Sequence, residues 1–293
     1  MSENPPRYAS WTQGKLPLPE LVEMKRRGEK IVMVTAYDAP SARLADAAGI
    51  DLLLVGDSSG MVVHGRESTV PVTLDEIVFM TQWVSRGAAR SIVVGDMPFG
   101  SYEVSDEEAV RTAIRLVKEG GADVVKLERA GASVRRARAI VEAGIGVMGH
   151  VGLTPQSSTV LGGFKAQGRR SEEARQMLQD ARELEAAGCF AIVLEAVPAT
   201  VAELVSARLS VPTIGIGAGG GTDGQVLVWH DMLGLYEGRA PRFVKRYANL
   251  AGAIGEALER YADEVRSGAF PEEQHTYSIP EDELAAFELE LRR

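Results

Sequence analysis

Six apolar stretches of this chain end on side chains that can hold or move charge. These side chains are Asp57, Asp96, Lys126 with Glu128, His150, Glu195, and His230 with Asp231. Carboxylates grouped with an imidazole and an amine are the tools of proton transfer and of hard-cation binding. Alternation along an extended strand puts Lys126 and Glu128 on one face. A face packed on helices would reject both charges, so both are expected to point inward. Four carboxylates on one apolar rim (Asp57, Asp96, Glu128 and Glu195) would repel one another and lose hydration. A bound cation offsets that cost. The donors are oxygens and the chain has one cysteine, Cys189, which favours a hard ion such as Mg²⁺ over zinc. Read singly, each charge is equally an ordinary ion pair or a solvated strand end. Their shared position is the argument for a site.

The elements that must position these groups are legible as eight apolar, β-branched runs. They cover residues 31–38, 51–58, 91–98, 123–128, 146–153, 189–197, 213–219 and 225–231. Near-continuous hydrophobicity suits parallel strands covered on both faces. Helical stripes lie between them, as in 105–120 (Ala109, Val110, Ala113, Ile114, Val117) and 171–188 (Ala174, Met177, Leu178, Ala181, Leu184). Capping boxes are expected at Thr73 with Glu76, Ser105 with Glu108 and Thr200 with Glu203. Helix stops are expected at Gly49, Gly87, Gly120, Gly144 and Gly188. This β/α rhythm with eight strands favours a closed barrel, a (β/α)₈ TIM barrel, whose active sites sit at the C-terminal rim. Residues 17–268 are assigned to the barrel, 1–16 to an N-terminal extension and 269–293 to a C-terminal tail. Within them, 234–242 reads as a loop and 244–267 as a long helix.

Weaker signals remain open. GIGAGG at 215–220 is either an anion cradle or a loop that needs glycine for steric reasons. Asp38 is either a helix cap or a catalytic group. The long glycine-rich stretch 152–170 has the length of a lid. His64 and His275 show no partner, and Cys189 reads as packed core. The bulk numbers narrow the class. A chain of 293 residues, 45% hydrophobic, has ample core for one large α/β barrel. A net charge of −9 argues against nucleic acid and anionic membranes as partners. The single cysteine fits a reducing cytoplasm, and no signal peptide or membrane span is evident.

Ten segments carry a resemblance. They are TAYDAPSARLAD, LLVGDSSGMVVHG, STVPVTLDEI, DMPFGSY, DVVKLE, GHVGLTPQS, GGFKAQGR, VLEAVP, IGIGAG and DGQVLVWHD, in order from about residue 31 onward. In them the chain resembles the ketopantoate hydroxymethyltransferase family. The resemblance implies a TIM barrel of the phosphoenolpyruvate/pyruvate type. It implies Mg²⁺ held by Asp57, Asp96 and Glu128, and a 2-oxo acid, 3-methyl-2-oxobutanoate, bound against Asp57, Ser58, Asp96 and Lys126. It implies Glu195 as the proton acceptor, 5,10-methylenetetrahydrofolate as the one-carbon donor, a metal-stabilised enolate and a homodecamer. The chain departs from the family pattern at Glu128-Arg129-Ala130, where glycines often follow the glutamate, and in the length of its tail beyond Tyr277. A carbon–carbon lyase or phosphomutase of the same barrel superfamily is the runner-up. A non-catalytic anion-binding barrel is the alternative from another class.

Overall fold

A computed structural model describes residues 14–157, 163, 165–235, 238 and 241–293. The extension assigned to 1–16 and the stretches 152–170 and 234–242 therefore lie partly outside the described residues.

The eight runs form eight parallel strands. These are β1 (Ile31–Thr35), β2 (Leu52–Val55), β3 (Ile92–Asp96), β4 (Val124–Lys126), β5 (Gly146–Gly152), β6 (Ala191–Glu195), β7 (Thr213–Ile216) and β8 (Gly224–Leu227). Each pairs with the next, and β8 returns to β1 through Val32↔Gln225 and Met33↔Val226, so the sheet is a closed barrel. The helices introduced in chain order are α1 (Leu18–Arg27), α2 (Ala39–Ala47), α3 (Ser59–Val62), α4 (Leu74–Gly87), α5 (Asp106–Lys118), α6 (Ala132–Glu142) and α7 (Ser171–Ala186). After them come α8 (Ala199–Ser206), α9 (Trp229–Leu233), α10 (Leu250–Ser267) and α11 (Glu281–Leu291).

Alternation along the strands builds two apolar layers. Leu52, Leu54, Ile92, Val94, Val124, Met148, Ala191, Val193 and Ile214 fill the barrel interior. The alternate residues Leu53, Val55, Val93, Val125, Val147, Ile192 and Leu194 pack outward against the helices. Leu21 and Met24 of α1 join the interior layer at the N-terminal end of the barrel. Lys25 of the same helix is tied to Asp223, just before β8, at 2.8 Å. Burying each such Leu or Ile side chain contributes about 1.5–3 kcal/mol. The interior is thus a packed plug, and only its C-terminal rim is left for chemistry.

The helix signals resolve case by case. Thr73 Oγ1 accepts from Glu76 N, and the Glu76 carboxylate accepts from Thr73 N, so this capping box forms. Ser105 caps α5 by accepting from Glu108 N at 3.0 Å. The expected box at Thr200 is absent: α8 starts at Ala199, two residues before the start that a Thr200 cap would give, with Pro198 as its N-cap, so Thr200 falls inside the first turn. Gly49, Gly144 and Gly188 take left-handed conformations at helix ends. After α5 that role passes from Gly120 to Gly121. The helix expected over 244–267 begins only at Leu250, because the preceding residues run across the rim, with Tyr247 N bonded to Met232 O at 2.7 Å. His230 and Asp231 lie on α9 rather than on β8. The tail helix α11 is exposed along its length.

Candidate active site

Strand parity aims most of the charged residues. Two residues beyond the interior Val94 comes Asp96, and two beyond Val124 comes Lys126, followed by Glu128. Two beyond Met148 comes His150, and two beyond Val193 comes Glu195. Asp57 falls outside this parity, in the turn between β2 and α3, and its backbone N donates to Asp96 Oδ2 at 3.2 Å. All of these groups are buried except Glu195, which is partly exposed.

The side chains form one connected charge cluster. Lys126 Nζ lies 2.7 Å from Asp96 Oδ1 and 3.7 Å from Glu128 Oε1. His150 stands between two carboxylates, with Nδ1 3.3 Å from Glu128 Oε1 and Nε2 3.3 Å from Glu195 Oε2. Neither imidazole nitrogen makes an aligned hydrogen bond, so these are charge contacts. Burial would lower the His150 pKa, but the two glutamates outweigh it and hold it up at about 9. Burial would likewise lower that of Lys126, yet Asp96, Glu128 and Asp57 keep it above its ordinary value. Glu128 is held below the usual range by His150 and Lys126 in spite of burial. The aspartates move the other way. Asp96 is raised by burial in spite of Lys126. Burial, with Asp96 and Glu128 nearby, pushes the Asp57 carboxyl up to about 8. The cluster therefore carries more carboxylate than its own cations neutralise.

That surplus, on oxygen donors, fits a divalent hard cation in charge and in donor type. As the side chains stand, no three His, Cys, Asp or Glu groups among the described residues converge at ligand spacing. Lys126 holds one oxygen of Asp96, and Gln156 Nε2 holds Asp57 Oδ2 at 3.0 Å. Ser58 stands beside Asp57, and its Oγ lies 3.0 Å from the Tyr37 hydroxyl.

Both acidic strand ends are followed by a left-handed residue. Arg129 has φ 72° and Ala196 has φ 50°. Such a conformation costs about 1–2 kcal/mol outside glycine, and these are the non-glycine cases among the described residues. Arg129 N bonds to His150 O at 2.9 Å, and Ala196 N to Ile216 O at 2.8 Å, so the turn after each glutamate is anchored to a neighbouring strand. The Arg129 departure from the family's glycines therefore falls at a position where glycine would be unstrained.

The remaining expectations sort as follows. Asp38 is the N-cap of α2, accepting from Ser41 N at 2.7 Å. Cys189 is buried, its thiol pushed up to about 12 by burial. His64 does have a neighbour, its Nδ1 lying 3.7 Å from Glu76 Oε1. In GIGAGG the steric reading is the one the packing favours. A Cβ at Gly217 would meet the Phe243 ring at 2.6 Å, and one at Gly219 would meet Ala199 at 2.4 Å. Sequence reasoning missed Tyr37, Tyr102 and Gln156, neutral residues whose partners come from other strands. Their only signal in the sequence is that they lie inside the resembling segments.

Comparison with known proteins places this geometry. A family profile described as ketopantoate hydroxymethyltransferase matches residues 15–273. A 3-methyl-2-oxobutanoate hydroxymethyltransferase of Moorella thermoacetica is 57% identical over 265 residues, covering 90% of this chain and 98% of that protein. One from Nitratidesulfovibrio vulgaris (strain DP4) is 54% identical, over 98% of this chain and 94% of the relative. Among solved structures, a phosphonopyruvate hydrolase in complex with oxalate and Mg²⁺ superposes with a TM-score of 0.57 at 13% identity, covering 94% of this chain and 96% of that one. A 2,3-dimethylmalate lyase of the PEP mutase/isocitrate lyase superfamily gives 0.55 at 17% identity, covering 94% and 98%. These structural likenesses show the fold, a (β/α)₈ barrel. From the profile match and the identities over nearly its full length, the chain belongs to the ketopantoate hydroxymethyltransferase family.

Proposed function

We propose that this protein transfers a hydroxymethyl group from 5,10-methylenetetrahydrofolate to C3 of 3-methyl-2-oxobutanoate, giving 2-dehydropantoate in pantothenate biosynthesis. The observation that carries the reading is a buried cation, Lys126, set among Asp57, Asp96 and Glu128, with His150 linking that group to Glu195 on the same rim. A 2-oxo acid needs a cation for its carboxylate and a base near C3, and this arrangement offers both.

Asp57, Asp96 and Glu128 would hold Mg²⁺. When bound, the ion supplies Lewis-acid polarisation of the substrate's keto group. Lys126 offers its ammonium as a point charge to the substrate carboxylate. Ser58, oriented by the Tyr37 hydroxyl, offers a hydrogen bond to the same substrate. Glu195 takes the proton from C3, and the nucleophilic carbon so formed attacks the methylene carbon carried by the folate. Water then supplies the oxygen of the new hydroxyl, and tetrahydrofolate leaves. His150, kept protonated by its two glutamates, holds the Glu195 carboxylate in place while it acts. Among the described residues no helix is long and apolar enough to cross a membrane. A homodecamer, as the resemblance implies, is part of this reading.

The lyase or mutase alternative is not favoured, because the similar curated proteins carry the transferase name over most of their length. The anion-binding alternative is not favoured either, since Gly215, Gly217 and Gly219 have a packing reason of their own, against Thr222, Phe243 and Ala199. The deciding experiment supplies both substrates and measures 2-dehydropantoate by mass, with Mg²⁺ and with chelator. Turnover that needs Mg²⁺ is expected. No product under any cation condition would refute the proposal.

Lys126 gives a sharper test of substrate placement. Lys126→Ala is expected to raise the KM for 3-methyl-2-oxobutanoate about tenfold or more, as loss of a charge-assisted hydrogen bond should. The KM for the folate should change far less. A uniform loss that follows unfolding in a thermal melt would instead mark Lys126 as a structural ion-pair partner of Asp96.

A further inference from the structure

Gln156 lies on the short 3₁₀ turn Pro155–Ser157 that follows β5, and it is buried. Its side-chain Nε2 donates to Asp57 Oδ2 and to Met97 O, both at 3.0 Å. Its backbone N donates to Glu128 Oε2 at 3.1 Å. One loop residue thus touches carboxylates from two other strand ends. The direction of the amide is also fixed. The Tyr102 phenol oxygen accepts from Glu128 N at 3.2 Å, so its hydrogen is free to go to Gln156 Oε1, 2.6 Å away. A flipped amide would set its oxygen against the Asp57 carboxylate and the Met97 carbonyl, and its NH₂ against a hydroxyl hydrogen. Tyr102 is itself buried, in a loop that Arg136 pins by donating to Tyr102 O at 3.1 Å and by pairing with Asp106.

The geometry points to Gln156 as a positioning residue that clamps one oxygen of Asp57 and one of Glu128, with Tyr102 setting the sense of the clamp. The clamp rests on the proposed function. It occupies Asp57 Oδ2 and Glu128 Oε2 with N–H donors. Asp57 Oδ1 is then left open to a hard cation, while Glu128 Oε1 faces His150 Nδ1 at 3.3 Å and Lys126 Nζ at 3.7 Å. Without the clamp, nothing among the named contacts of Asp57 Oδ2 and Glu128 Oε2 would fix the rotation of the two carboxylates. Groups that orient ligands in this way typically matter tenfold to a hundredfold in metal affinity.

The test compares the native protein with Gln156→Leu and Tyr102→Phe. Leu is close in volume and keeps the backbone N–H to Glu128. Phe keeps the ring and leaves Gln156 in place, so it stands even if the first variant folds poorly. Mn²⁺ binding followed by electron paramagnetic resonance reads the site without turnover, and kcat, both KM values and thermal melts are taken alongside. Gln156→Leu is expected to weaken Mn²⁺ binding by about tenfold or more and to lower kcat, with the folate KM little changed. Tyr102→Phe should move the same quantities in the same direction by less. The double variant should lie close to Gln156→Leu, any further loss coming from the Glu128 N–H that Tyr102 accepts. Ser101→Ala, which removes a hydroxyl bond to Pro98 O in the same loop, serves as the control and should shift the melt without shifting Mn²⁺ affinity. Unchanged Mn²⁺ affinity and kcat in a folded Gln156→Leu protein overturn the clamp and leave the transferase reading standing. If the native protein turns over without binding Mn²⁺, the cation reading falls and kcat alone decides the clamp. If it neither binds nor turns over, the functional reading falls, and the clamp with it.

Discussion

Asp57→Asn is expected to abolish most of the activity while leaving the barrel as stable as before, or more so. Two of its interactions survive the change, because an Asn oxygen can still accept from Gln156 Nε2 and the backbone N–H to Asp96 is untouched. What disappears is a carboxyl that the apoprotein can ionise only at a cost. The Asp57 carboxyl moves from an ordinary 3.8 to about 8 on folding, chiefly through burial and then through Asp96 and Glu128. A raised carboxyl pKa means that the unfolded chain gives up this proton first as pH rises. Between the two values, rising pH therefore removes stability from the native state. Asn lacks that penalty, so its melting temperature should match the parent near pH 4 and exceed it near pH 8 in the absence of metal. Mg²⁺ should restore the parent and do little for the variant. The rate should fall by about a hundredfold or more, the scale of losing one preorganised electrostatic group. Activity unaffected by chelator in both proteins would remove Asp57 from the cation site. Parallel melting curves at all pH values would show that its charge is already balanced.

Glu195→Gln should slow C3 deprotonation by about a hundredfold to ten-thousandfold, the usual weight of a positioned base. Gln keeps the size and the hydrogen-bonding reach of the side chain toward His150 Nε2, 3.3 Å away in the parent. Binding of Mg²⁺ and of the 2-oxo acid should persist, since Glu195 is not among the groups around Lys126. The step can be isolated by following exchange of the C3 hydrogen of 3-methyl-2-oxobutanoate in deuterated water without folate. That readout requires measurable exchange by the parent under the same conditions. A variant that exchanges at the parental rate would move the base role to His150 or to a water. A variant whose rate returns with excess Mg²⁺ would mark Glu195 as a cation ligand.

The site residues differ in how far the sequence reveals them, and the reason is the range of the interactions. Asp96, Lys126, His150 and Glu195 each lie two positions beyond a buried interior side chain of the same strand. A local rule of alternation therefore aims them. Asp57 breaks that alternation by sitting in a turn, so its type hinted at a site while its direction came only with the fold. Gln156 and Tyr102 are neutral and off the strands, and their partners are Asp57, Met97 and Glu128. Nothing in the sequence around them encodes those meetings. The capping signal at Thr200 failed because the helix already begins at Ala199, with Pro198 as its N-cap. The late start of α10 is a tertiary effect, since the chain before it is held across the rim by Met232 and Phe243.

The β1–β8 seam has a consequence for the history of each molecule. It joins segments from the two ends of the barrel sequence, so it forms only after the longest loop closure in the sheet. Until then the growing sheet has open borders, with unpaired amides along strands whose side chains are almost wholly apolar. Such borders recruit other chains. Lys126 can meet Asp96 once β3 and β4 pair, but Glu195 can reach His150 only when β6 has been added beside β5. Catalytic competence should thus return late in refolding, behind most of the secondary structure. During that interval, the yield of folded enzyme should fall as chain concentration rises.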